Sequence, residues 1–103
     1  MRVIVDDSIE DVLWAFYEEA LRKHITLEVS TILAKIERLR LELFELGEYP
    51  DKYQLARKAD WLQKGYHDFI YEDIHIGYKV IKLTTGETVV YVAEACHSLL
   101  YHD

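Results

Sequence analysis

The chain has 103 residues, 50% of them apolar and 13% aromatic, with a single cysteine and a formal net charge of −7. This is enough core-forming residue for one domain over residues 1–103, and it excludes a disordered chain, an internal disulfide and a bilayer-spanning helix. Residues 1–47 hold 10 acids to 6 bases and residues 48–103 hold 9 to 6, so neither half looks like a phosphate-binding tail.

Met1 to Val5 is short and β-branched and suits a first strand. The Asp6-Asp7 pair that follows argues against a signal peptide, so the expected setting is cytoplasmic, away from membranes. Asp7 opens a helix, with Glu10 at the capping-box spacing. Ile9, Val12, Leu13, Phe16, Ala20 and Leu21 recur at helical steps and form its apolar stripe.

Periodicity fades over His24–Glu28, where a corner is expected. A second helix carries Ile32, Leu33, Ile36, Leu39, Leu43 and Leu46 on its inner stripe, and Gly47 stands where a helix-ending glycine would. Two such helices make a hairpin. Tyr49-Pro50-Asp51-Lys52 ends the helical half. Residues 53–64 have no clean period, and Gln54 to Asp60 fits either a helical turn or an extended run.

From Gly65 onward the chain turns β-rich. Strands are expected at His67–Tyr71, Ile74–Leu83 and Thr88–Cys96, with a tight turn at Thr84–Glu87. The expected fold is α+β: an N-terminal strand, a helical hairpin and a three-stranded antiparallel meander. Together they give a four-stranded sheet with its helices on one face.

A two-residue loop at Thr85-Gly86 would pair Lys79 with Val92, Gly77 with Glu94 and His75 with Cys96. A three-residue turn at Glu72–Ile74 would add His67 opposite Lys79, and a one-residue slip there would send His67 to the other side. His67, His75, Lys79 and Glu94 then share one face, which offers a base, a cation and a carboxylate. The same residues are what the wet side of a half-buried sheet would hold. The other face, with Ile76, Tyr78, Val80, Val89, Tyr91, Ala93 and Ala95, should pack on the helices.

His67 and His75, or His97 and His102, lack the spacing of a zinc motif, and neither a metal nor a cofactor is expected. Cys96 reads as a small buried residue. Trp14, Tyr17, Tyr49, Tyr53 and Trp61 have no obvious place in so small a core. They suit either a protein interface or subsidiary packing.

Gly65-Tyr66, Tyr78-Lys79 and Cys96-His97 followed by Tyr101, in this order of elements, resemble the RelE/ParE superfamily of bacterial type II toxins. The resemblance implies a toxin that binds a cognate antitoxin and inhibits growth. Its RelE branch cuts messenger RNA on the ribosome; its ParE branch acts on DNA gyrase. For a ribosome-dependent endoribonuclease the resemblance implies His97 as base, Lys79 as phosphate-facing cation and Tyr101 as orienting group. Lys82 and His67, with His75 and Glu94, would assist with substrate. Residues 65–103 contain no arginine, and their only bases are Lys79 and Lys82. A second reading is therefore a protein-binding member without nuclease chemistry, and a third is a homodimerising domain.

Overall fold

A computed structural model describes residues 1–23 and 28–101. All but Glu28 of the expected corner, and His102, lie outside these residues.

The architecture is α+β. Strand β1 (Arg2–Val5) leads into helices α1 (Ser8–Lys23) and α2 (Val29–Glu45). A short α3 (Ala59–Gln63) precedes β2 (His67–Tyr71), β3 (Ile74–Lys82) and β4 (Thr88–His97). Among the described residues the strands form one sheet in the order β1-β4-β3-β2. It is mixed rather than wholly antiparallel, because β1 runs parallel to β4.

Entry into α1 is capped by Asp6, whose carboxylate accepts the Ser8 N–H at 3.0 Å. Glu10, expected to complete a capping box with Asp7, instead accepts from Arg40 Nε at 2.7 Å and ties α1 to α2. Gly47 follows α2 as expected but is not among the residues with positive φ. Its reason is space: a Cβ there would sit 2.2 Å from the Met1 carbonyl oxygen.

The main core lies between α1 and α2 and one face of the sheet. Ile9, Leu13 and Tyr17 of α1 and Ile32, Ile36, Leu39 and Leu43 of α2 meet Phe69, Ile76, Tyr78, Val90 and Val92. Leu33, expected on the inner stripe, is instead 50% exposed.

Two local irregularities reset the expected faces. The β3–β4 loop holds three residues, Thr84 to Gly86. Gly86 at φ +93 donates to the Leu83 carbonyl at 2.9 Å, and Leu83 pairs with Glu87 at 2.8 Å. Lys79 therefore faces Tyr91, not Val92. Ala93 then forms a bulge, because Tyr78 pairs with Val92 while Gly77 pairs with Glu94. One offset cancels the other, so His75–Cys96 and Gly77–Glu94 pair as expected. Between loop and bulge every β4 side chain is flipped. Val90 and Val92 face the helices, and Val89, Tyr91 and Ala93 do not.

The helices do not all lie on one face. Ala56, Trp61 of α3 and Tyr66 form a second, smaller core with Ala93 on the side away from α1 and α2. Gly77 is its floor, where a Cβ would meet Tyr66 at 3.0 Å and Trp61 at 3.1 Å. The two cores absorb most of the surplus aromatics. Tyr17 and Trp61 are buried, Trp14 and Tyr53 pack partly, and Tyr49 is 64% exposed.

Candidate functional site

The turn between β2 and β3 decides which histidine joins the polar cluster. Tyr71 pairs directly with Ile74, so the loop is the two residues Glu72-Asp73, with Glu72 at φ 53. His67 consequently faces Tyr78 rather than Lys79 and turns to the α1–α2 side. There it stacks on the Tyr78 ring at 5.3 Å and places Nδ1 2.6 Å from the Tyr53 carbonyl oxygen. His67 leaves the expected group.

The same turn brings Asp68 beside His75 on the face that carries α3. Asp68 Oδ2 lies 2.9 Å from His75 Nδ1, with side-chain exposures of 16% and 12%. Tyr101 stacks on the imidazole, with centroids 3.8 Å apart and planes within 7°. The Tyr101 hydroxyl accepts the backbone N–H groups of Arg57 at 2.9 Å and Lys58 at 3.3 Å. Its ring meets Trp61 edge-on. A carboxylate on Nδ1 leaves Nε2 as the nitrogen with an open lone pair in the neutral ring. No protein group among the described residues binds Nε2.

The lysines on this face are each engaged by other protein groups. Lys58 pairs with Asp60 at 2.7 Å, which raises the ammonium pKa and lowers the carboxyl pKa. Lys64 pairs with Glu94 at 2.8 Å and is held charged by it. Lys79 donates to the Lys64 carbonyl at 3.3 Å and lies over the Tyr66 ring. Burial, then the Glu94 charge, pushes the Tyr66 hydroxyl pKa up. Cys96, opposite His75, has its thiol pKa raised mainly by burial, the wrong direction for a nucleophile. Among the described residues no group of three or more His, Cys, Asp or Glu is placed to hold a metal ion.

His97 is elsewhere. It pairs with Ile74 on the helix side, and its ring lies 5.0 Å from Phe16. Its Nδ1 accepts the Leu99 N–H at 3.1 Å and so caps the 3-10 turn Ser98–Leu100. Lys82 ends β3, exposed, opposite Thr88. The fold thus joins Tyr101 to His75 and sets Glu94 and Lys79 around Tyr66. It leaves His97, His67 and Lys82 apart from them.

Asp68, Trp61 and Tyr66 carry this surface, and the sequence held a signal for each. Reading Glu72-Asp73 as the turn would have put Asp68 diagonal to His75. A glycine inside a strand, Gly77, marks a close approach by other groups.

Compared with known proteins, the chain matches no family model, no curated protein and no solved structure.

Proposed function

We propose that the chain is the toxin component of a bacterial type II toxin–antitoxin module of RelE/ParE type. It binds a cognate antitoxin and arrests growth through a protein target, gyrase being the family precedent, rather than by cutting messenger RNA. The order strand, two helices and antiparallel meander supports the toxin part of the reading. The observation that carries the non-nuclease part is the separation of His97 from Lys79 by the sheet itself. A base and a phosphate-facing cation must act on one bond from within hydrogen-bond reach. Lys58 and Lys64, moreover, are engaged by carboxylates.

The test is inducible expression of the chain in a bacterium, following growth and transcript integrity together. Arrest with intact transcripts is the expected result. Arrest with messages cut in translated regions overturns the non-nuclease part, and no arrest overturns the toxin part.

A further inference from the structure

The two edges of the sheet are finished differently. Beyond β2, residues 54–56 lie alongside the strand: Asp68 N–H donates to the Gln54 carbonyl and Ala56 N–H to the Tyr66 carbonyl, each at 2.9 Å. Leu55 bridges His67 there, and that part of the edge is covered. β1 is the other edge. Asp6 N–H donates to the Val92 carbonyl at 2.9 Å, so by alternation Arg2 and Ile4 also direct their backbone groups at β4. Val3 and Val5 direct theirs outward, and among the described residues no hydrogen bond reaches them from beyond the sheet. Arg2-Val3-Ile4-Val5 contains no proline, no lysine and no bulge of the kind that blunts an edge. Beside it runs an apolar groove of about 260 Å³, lined in part by Val3, Val5, Leu39, Leu43 and Phe44. Phe44 is 74% exposed and Val5 39%.

The geometry points to a second copy of this chain as the occupant of that edge, joined antiparallel through β1 about a two-fold axis at Ile4. In that register Val3 of each copy pairs with Val5 of the other, so the outward N–H and C=O groups satisfy one another. Ile4 faces Ile4, and Arg2 faces Asp6 of the second copy on the same side of the sheet. Arg2 already donates to Glu87 at 2.7 Å and Asp6 accepts from the Tyr91 hydroxyl at 2.9 Å within each copy, and bringing these opposite charges across the strands stabilises such a pairing. The arrangement also places the acidic strip well. Asp6, Asp7, Glu10 and Asp11 gather just past the end of β1. An antiparallel partner carries its own strip to the far end, with Asp6 about 13 Å and Asp7 about 20 Å from their counterparts at roughly 3.3 Å per residue from the axis. Both distances exceed the Debye length of about 8 Å at physiological salt. A parallel partner would stack the strips. The sheet would run continuously through both copies, with the two grooves brought together beside the axis.

The contact is isologous, so one position tests it. Sedimentation of the whole chain over a range of concentrations should show a monomer–dimer equilibrium. Ile4→Lys and Ile4→Glu, each placing like charges opposite one another, should weaken it at least about tenfold. Mixing the two variants should restore the dimer, which unfolded variants cannot do. In a Cys96→Ser background, Ile4→Cys should form an intermolecular disulfide on mild oxidation, because directly opposed, non-hydrogen-bonded residues lie about 4.5 Å apart. Arg2→Cys should not. A wild-type monomer at every concentration overturns the proposal, even if the edge accepts a strand from another protein. A dimer indifferent to both charge variants, or cross-linked equally well from position 2, overturns it too.

Discussion

The two faces of the sheet are built on different terms. Under α1 and α2 lies a core of aliphatic and aromatic side chains that includes fully buried Ile9, Leu13, Ile32, Ile76, Tyr78, Val90 and Val92. Across the sheet, one tryptophan, three tyrosines, a few small residues and a bare glycine make a thin second layer, ringed by ion pairs and the Asp68–His75 couple. The thick face holds the fold together by area removed from water. The thin face is where the chain's polar chemistry gathers. A chain of this size can have both because five residues of helix suffice to seat Trp61.

The comparison can be broken most forcefully at that tryptophan. Trp61 is 1% exposed, and Trp61→Ala should cost about 3–5 kcal/mol in denaturant unfolding. A loss below about 1 kcal/mol would mean that the second layer does not fold cooperatively with the first. Gly77→Ala probes the same layer from beneath. The new methyl would press on both Tyr66 and Trp61. A cost of about 1–3 kcal/mol is expected, with Trp61 fluorescence shifted.

How much of this was legible can be read from particular residues. Long amphipathic periods made α1 and α2 visible, and β-branched runs made the strands visible. The faces were harder, because each depends on a one-residue count. Glu72 enters a left-handed turn although glutamate rarely advertises one, and Ala93 bulges with nothing in its side chain to announce it. The Glu72-Asp73 turn moved His67 off the polar face, the three-residue loop Thr84–Gly86 carried Val90 and Val92 into the main core, and the Ala93 bulge returned Glu94 and Cys96 to their expected partners. His75, Glu94 and Lys79 kept their expected face, and Tyr101 joined them through tertiary packing that no local pattern encodes.

Smaller changes sharpen the contrast. Tyr101→Phe removes the acceptor for two backbone N–H groups ahead of α3. It should cost about 0.5–1.5 kcal/mol and speed hydrogen exchange at Arg57 and Lys58, leaving amides of the main core unchanged. Uniform acceleration would contradict a local tether.

Acid should affect both faces, and least sharply. Asp6 is held below the usual carboxylate range mainly by Ser8, Glu10 by its hydrogen bond from Arg40, and Asp60 by that from Lys58. A lowered folded pKa stabilises above the unfolded value of about 4. The melting temperature should therefore hold from neutrality to about pH 5 and fall as these groups protonate below it. Replacing Glu10 with Gln should flatten part of that fall.

The separation of the faces is tested most directly at His97, which caps a turn on the helix side while Lys79 lies across the sheet. The measurement is growth after induction of His97→Ala beside wild type, with folding checked by circular dichroism. The account predicts equal arrest with transcripts intact in both. A folded His97→Ala protein that no longer arrests growth, beside a wild type that cuts transcripts, would contradict it.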